Sequence, residues 1–120
     1  MSKLGSFEDT RGKINDVSDS VFYTTISNLK GAVRGNHYHA NTDQWTLVRQ
    51  GMLRIVKQMP GGELRQFHLQ QGEYDYSPAT ERHAWEAVEY TIVDVFTLGP
   101  RAGVGFELDT IRLKEGEKLI

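Results

Sequence analysis

The stretch GNHYHANTDQWTLVRQG, residues 35–51, places two histidines one residue apart, just before a run in which apolar and polar positions alternate. Side chains two residues apart on a strand point to the same face, so His37 and His39 are expected to present both rings on one side. Gln44 follows a short turn at 40–43 and begins the next strand. The stretch predicts neighbouring strands with converging imidazoles, which can hold a metal ion, move protons or fill a core.

The same two-residue period runs through most of the chain. It predicts strands at 21–27, 45–49, 52–57, 63–70 and 89–98. Glycine- and proline-containing turn signals separate these strands, at 28–31, 50–51, 60–62, 71–72 and 99–100. No stretch shows helical spacing over three turns. A chain of 120 residues with this pattern predicts one all-β domain, either a sandwich or a barrel.

Composition excludes several classes of function. The net charge of −2 gives no basic field for a phosphate backbone, so no nucleic-acid partner is expected. No apolar run approaches the roughly 18 residues of a membrane span, and the first ten residues lack a signal-like apolar segment, so we expect a soluble, cytoplasmic protein without a membrane partner. The absence of cysteine excludes disulfides, thiolate nucleophiles and cysteine-based zinc sites.

Two motifs resemble those of the cupin superfamily. The first contains the sequence positions Gly31, His37, His39, Gln44 and Gly51, and the second contains Gly72, Pro78, Thr80, His83 and Ala87. Three positions depart from the family pattern, because Gln44 replaces a glutamate, Thr80 a glycine and Ala87 an asparagine. The resemblance implies a single-domain jelly-roll barrel (a double-stranded β-helix). In it, 1–19 form an N-terminal arm or edge strand, 20–100 the barrel core, and 101–120 a C-terminal strand with a solvated tail from 113.

Metal-binding cupins suggest one function for this site. By that resemblance His37, His39, Gln44 and His83 would be the ligands of a divalent ion such as Mn, Fe, Ni or Zn. A neutral amide in place of a carboxylate contributes no negative charge, so the ion should bind more weakly than in the family's usual site. The implied activity is that of a metal-dependent dioxygenase or lyase.

Sugar-nucleotide cupins suggest another function. Phe7, Asp9, Arg11 and Gly12 resemble the opening strand of this group, and residues 33–39 resemble its Arg-Gly-x-His stretch. The group includes rhamnose-pathway 3,5-epimerases and the 3,4-ketoisomerases of thymidine-diphosphate sugars, which carry a glutamine near the position of Gln44 and require no metal. The resemblance implies histidine acid–base chemistry on a nucleotide-linked 4-keto sugar, with no cofactor.

The resemblance also implies a role for each candidate residue. His37 would be the leading base and His39 a second base or a substrate contact. Tyr23 or Tyr38 would be the acid, although strand alternation directs Tyr38 away from the histidines. The substrate would be bound by Arg34 at the diphosphate, by Arg11, and by Trp85 at the mouth of the pocket.

Three hypotheses therefore remain open: a sugar-nucleotide isomerase or epimerase, a metal-dependent enzyme, and a non-catalytic module that binds a sugar or another small ligand. A homodimer is expected in each, since the resemblance implies exchange of an N-terminal strand. Asp94 lies in an apolar run and either faces solvent or pairs with a histidine. His68 lies outside both motifs and is expected to have no role.

Overall fold

The computed structural model describes residues 6–10, 12–15, 21–99 and 109–120. These residues form eleven strands and a single 3-10 turn at Glu115–Glu117. The strands are β1 (Ser6–Asp9), β2 (Gly12–Asn15), β3 (Phe22–Asn28), β4 (Val33–His39), β5 (Asp43–Gln50), β6 (Met52–Gln58), β7 (Arg65–Gln70), β8 (Tyr74–Ser77), β9 (Arg82–Ala87), β10 (Thr91–Leu98) and β11 (Thr110–Arg112). The all-β prediction is confirmed.

Two antiparallel sheets form the jelly roll. One has the strand order β3–β10–β5–β8 and the other the order β11–β4–β9–β6–β7. Alternating side chains bury one face of each sheet, and the core cluster between the sheets consists of Val48, Leu53, Ile55, Leu69, Trp85, Ala87, Val93 and Val95. Trp85 and Val95 also line the cavity described below, so the apolar core ends where the cavity begins.

The turn at Gln50–Gly51 carries the chain from one sheet to the other. Strands β5 and β6 flank this turn but belong to different sheets. Gly51 has a φ of 97°, and a Cβ at this position would lie 2.4 Å from the carbonyl oxygen of Tyr90. The turn therefore requires glycine. The sequence predicts both strands and the turn, but the alternation of side chains does not reveal the change of sheet.

The first and last strands of the chain differ in their pairing. Strand β1 pairs with β2 in a separate two-stranded sheet, whereas β11 pairs with β4. The backbone amides of Leu119 and Ile120 donate to Oδ1 of Asn36 at 2.8 and 3.2 Å. The tail predicted to be solvated is exposed at 114–118, but Asn36 anchors its last two residues to the barrel. Among the described residues, no helix has the length and apolar character to cross a membrane.

Candidate functional site

A β-bulge in β4 positions the residues around the cavity. The register of β4 against β9 shifts between Gly35 and His37, which leaves Asn36 as the extra residue. Gly35 and Asn36 have φ values of 92° and 56°, a left-handed conformation that these two residue types adopt most readily. The bulge changes the alternation of side chains, so Arg34 and His37 both line the cavity although they are three residues apart.

Three imidazoles meet on the inner side of the sheet that contains β4 and β9. The ring centroid of His37 lies 4.8 Å from that of His39 and 4.8 Å from that of His83, and the last two are 5.3 Å apart. His37 and His83 line a cavity of about 430 Å³, and His39 is buried beside them. The structure thus brings together the three histidines of the two sequence motifs.

Burial keeps the rings of His37 and His83 uncharged at neutral pH. Burial first, and then the neighbouring imidazoles, lowers the pKa of His37 to about 2. Burial and His39 lower the pKa of His83 to about 4, although a contact with the carbonyl of Glu81 raises it. That carbonyl oxygen, 3.2 Å from Nδ1 of His83, only accepts, so Nδ1 carries the proton and Nε2 offers a lone pair. Within the described part of the chain, Nδ1 of His37 and Nε2 of His83 are buried without a hydrogen-bond partner.

Gln44 contributes a neutral polar group to the cavity wall on the opposite sheet. It lies on β5 directly across from Thr97 of β10, and both residues line the cavity. Its Nε2 donates to Oγ1 of Thr46 at 3.1 Å, which fixes the orientation of the buried amide. The structure therefore places the predicted fourth ligand at the same cavity as His37 and His83.

Two arginines lie at the rim of the cavity. Asn28 orients the first, since its Oδ1 accepts from Nε of Arg34 at 2.8 Å and from Nε1 of Trp85 at 3.1 Å. Trp85 is 7% exposed, packs in the core cluster and also lines the cavity. Arg112 lies on β11 across from His37 and lines the same cavity. Both guanidinium-bearing residues are exposed, so the positive charge is concentrated at the entrance.

The structure places Tyr23 on the outer face of its sheet, away from the histidines. Its neighbour Thr24 lines the cavity, whereas the Tyr23 hydroxyl donates to Oδ1 of Asp94 at 2.6 Å. Nε of Arg49 donates to the other oxygen of Asp94 at 3.0 Å. Burial alone would raise the pKa of Asp94, but the hydrogen bonds and charge of Arg49, with the Tyr23 hydroxyl, lower it. Asp94 therefore pairs with Arg49 and Tyr23 and does not orient a histidine.

Three other residues considered in the sequence analysis do not contribute to the described cavity. Two of them lie away from it, and the third is outside the residues that the structure describes. The ring of Tyr38 packs against Arg82, whose Cζ lies 4.0 Å from the ring centroid, so alternation does direct Tyr38 away from the histidines. His68 is exposed on β7. Arg11 lies outside the described residues, and its proposed contact with substrate stays a prediction.

A buried ion-pair network beside His83 was not predicted from the sequence. Lys57 lies across from His83 and is 1% exposed. Its Nζ lies 2.6 Å from Oε1 of Glu81 and 2.9 Å from Oδ2 of Asp75, while Arg65 contacts the other oxygen of Glu81 at 2.8 Å. The carbonyl of Glu81 is also the one that contacts His83. The network therefore fixes the turn that precedes β9, the strand on which this histidine lies.

The turn before β9 keeps the backbone shape that a glycine would allow. Thr80, which replaces the glycine of the family motif, has a φ of 75°. This conformation costs a β-branched residue about 1–3 kcal/mol. The amide of Thr80 donates to the carbonyl oxygen of His39 at 2.8 Å, which joins the turn to β4. Thr80 therefore departs from the family motif in residue type but keeps the backbone conformation of the turn.

Sequence reasoning missed Thr97 and Arg112 as residues of the cavity. It also missed Asn28, which holds the cavity-lining side chains of Arg34 and Trp85. Alternation within β3 and β10 predicts that Asn28 and Thr97 face inward, but it does not distinguish a cavity from a core. Arg112 reaches the cavity because β11 pairs with β4, a contact between residues more than seventy positions apart. No local pattern signals that contact.

Comparison with known proteins identifies the family. A family model described as Cupin matches residues 13–102. The chain therefore belongs to the cupin family, as its motifs predict. Among curated proteins, no sequence matches it.

Several solved structures resemble this fold. The capsular polysaccharide assembling protein CapF from Staphylococcus aureus has a TM-score of 0.73 at 18% identity, and the match covers 95% of this chain and 32% of CapF. The dTDP-4-dehydrorhamnose 3,5-epimerase from Sulfolobus tokodaii has a TM-score of 0.67 at 20% identity, over 93% of this chain and 74% of the epimerase. A double mutant of the QdtA 3,4-ketoisomerase from Thermoanaerobacterium thermosaccharolyticum, in complex with TDP, has a TM-score of 0.64 at 20% identity, over 97% of this chain and 88% of the ketoisomerase. This chain spans about a third of CapF, and the similarity shows a shared fold.

Proposed function

We propose that this protein is an isomerase or epimerase of a nucleotide-linked 4-keto sugar, with a dTDP-sugar as the first candidate substrate. The carrying observation is a cavity with neutral imidazoles at its floor and arginines at its rim. His37 and His83 each offer a buried nitrogen that has no hydrogen-bond partner within the described residues. Two structures with this fold are named as a 3,5-epimerase and as a 3,4-ketoisomerase with TDP, which supports this substrate class.

Both reactions begin with the same proton transfer. A base removes the proton from a carbon next to the carbonyl, the electrons of the C–H bond form a C=C bond, and the carbonyl oxygen takes the negative charge of an enediolate. Protonation of that carbon from its opposite face inverts the centre. Transfer of the neighbouring hydroxyl proton to the former carbonyl oxygen, followed by protonation of the former carbonyl carbon, moves the keto group instead. Each outcome conserves atoms and electrons without an added oxidant or reductant.

Neutral imidazole is the form that accepts the first proton, so we assign His37 as the base and His39 as a second base or substrate contact. A pKa of about 2 in the protein alone makes His37 a weak base. The negative charges of the diphosphate and of the enediolate favour the protonated ring, and therefore raise this pKa toward the range that proton transfer requires.

The rim of the cavity suits the diphosphate. Arginine forms paired hydrogen bonds with phosphate oxygens, and its planar group keeps its charge at all relevant pH values. Asn28 and the carbonyl of Ser27 hold Arg34 in one orientation, at 2.8 and 3.2 Å. Arg112 adds a second positive charge on a neighbouring strand. A diphosphate held there would place the hexose toward the histidines, with Trp85 along its path.

Solvent exchange tests the proposal. TDP-4-keto-6-deoxyglucose incubated with the protein in D2O should acquire deuterium beside the keto group, and the exchange should persist in excess chelator. Mass spectrometry and proton NMR measure the exchange, with the sugar alone as the blank. Thermal stabilisation by the sugar nucleotide without any exchange would contradict an enzyme and would identify a binding module instead.

A divalent metal site is the second candidate, and the histidine geometry favours it. One ligand atom from each of His37, His39 and His83 lies within 4.8 Å of the others. Bonds of about 2.1 Å would require the nitrogens to come within about 4 Å of one another, so the rings fit an ion after a small inward movement. These residues would hold the ion, Gln44 would be the fourth ligand, and the ion would act as a Lewis acid toward a substrate oxygen.

The Gln44→Glu variant tests whether this amide faces the proposed ion. A carboxylate adds negative charge to a three-histidine site, so the affinity for Mn²⁺ or Zn²⁺ should rise about tenfold or more. Gln50→Glu is the matched control, because it adds the same charge to an exposed position at the end of the same strand. Isothermal titration measures both variants. Equal affinities in the two would show that residue 44 does not take part in the site.

A further inference from the structure

The hydroxyl of Thr97 is a buried polar group that forms no hydrogen bond with any residue that the structure describes. Thr97 is 1% exposed and lines the cavity from β10, across from Gln44. Its Oγ1 is buried and has no hydrogen-bond partner among the residues that the structure describes. A buried hydroxyl without a partner destabilises a protein relative to an apolar group of the same shape. Its position on a cavity wall offers a reason for its presence.

Thr91 shows what a structural threonine looks like on the same strand. It lies six residues earlier on β10, faces inward as Thr97 does, and is 0% exposed. Its hydroxyl is within hydrogen-bond distance of both backbone groups of Met52, at 3.1 Å from the amide and 3.0 Å from the carbonyl oxygen. Thr91 does not line the cavity. Among the described residues, the hydroxyl of Thr91 therefore has protein partners and that of Thr97 has none.

We infer that Thr97 is a substrate-binding residue whose hydroxyl bonds to an oxygen of the hexose, in a subsite that it shares with the amide of Gln44. The inference rests on the proposed function. It adds that the cavity wall formed by Thr97 and Gln44 recognises the hexose of the substrate. With the diphosphate at Arg34 and Arg112, the hexose is the portion that reaches the inner wall of the cavity. A threonine hydroxyl both donates and accepts, which suits a sugar hydroxyl or a keto oxygen.

Stability separates this role from a structural one. Thr97→Val keeps the shape of the side chain and removes a hydroxyl that has no hydrogen bond to any described residue, so its unfolding temperature should equal or exceed that of the wild type. Thr91→Val removes a hydroxyl that is hydrogen-bonded at both its donor and acceptor sides, so its unfolding temperature should fall. A fall for Thr97→Val as large as that for Thr91→Val would overturn the inference.

Binding of two probes completes the test. TDP-glucose carries a hexose and TDP does not, and titration calorimetry gives the affinity of each. Thr97→Val should weaken TDP-glucose binding about three- to tenfold and leave TDP binding unchanged, whereas Thr91→Val should change neither. Wild-type affinity for TDP-glucose in Thr97→Val, with exchange of the 4-keto sugar intact, would overturn the inference alone. Failure of the wild type to bind either probe would overturn the proposed function, and the inference with it.

Discussion

The His37→Asn variant is expected to lose most of its turnover, with kcat for a 4-keto sugar nucleotide falling by a factor of about 10² to 10⁴. Asparagine occupies similar space but cannot accept the proton that an imidazole accepts. Nδ1 of His37 has no hydrogen-bond partner within the described residues, so loss of the ring removes no bond made by that atom. Steady-state kinetics and a thermal melt measure the two effects, and the melting temperature should change little.

Arg34→Ala provides the opposite pattern and serves as the control. Loss of a guanidinium that holds the diphosphate should weaken binding by about tenfold to a hundredfold while kcat stays near that of the wild type. The two variants together distinguish the effect of the histidine on kcat from the effect of the arginine at the rim on substrate binding. If His37→Asn raised KM and kept kcat, the base would lie elsewhere.

The Lys57→Met variant should lose about 3–5 kcal/mol of unfolding free energy. Methionine fills much of the same space, but it leaves the carboxylate of Glu81, 2% exposed, without the ammonium group that lies 2.6 Å away. Arg65 stays in contact with the other oxygen of Glu81, but its side chain is 58% exposed and offsets little of this loss. Urea denaturation at neutral pH measures the change.

Arg54→Met is the matched control for that prediction, because it removes one positive charge from the same strand. Arg54 pairs with Glu86 at 3.1 Å, where both side chains are partly exposed, so its loss should cost less than about 1 kcal/mol. Similar losses in the two variants would show that burial of the Lys57 network contributes no stability of its own.

The sequence predicts the strands well because burial of one face imposes a two-residue period. The period at 21–27 and at 89–98 corresponds to strands β3 and β10, and the turn at Gln50–Gly51 falls where predicted. The histidine pair also follows from local spacing. The meeting of that pair with His83 was implied by the resemblance to cupins, since no local rule joins residues 46 positions apart.

Other features of the site depend on long-range pairing and therefore escape a local pattern. The bulge at Asn36 changes the alternation that the sequence predicts for β4, and only the register against β9 reveals it. Tyr23 was selected by residue type, whereas its position on β3 directs its hydroxyl to Asp94 on the outer face. Lys57 could have been predicted to face inward with Leu53 and Ile55, and a buried cation implies a carboxylate partner.

The separation of charge within the cavity gives an elongated ligand a preferred direction of approach. The guanidinium groups of Arg34 and Arg112 stand at the entrance, whereas the imidazoles at the far end are uncharged. A molecule with one anionic end would bind most favourably if its neutral end entered the cavity first. The anionic group would then stay at the entrance, where it contacts the arginines and retains much of its hydration. A small dianion has no neutral end. To reach the imidazoles it would have to lose its hydration next to uncharged rings, which costs free energy.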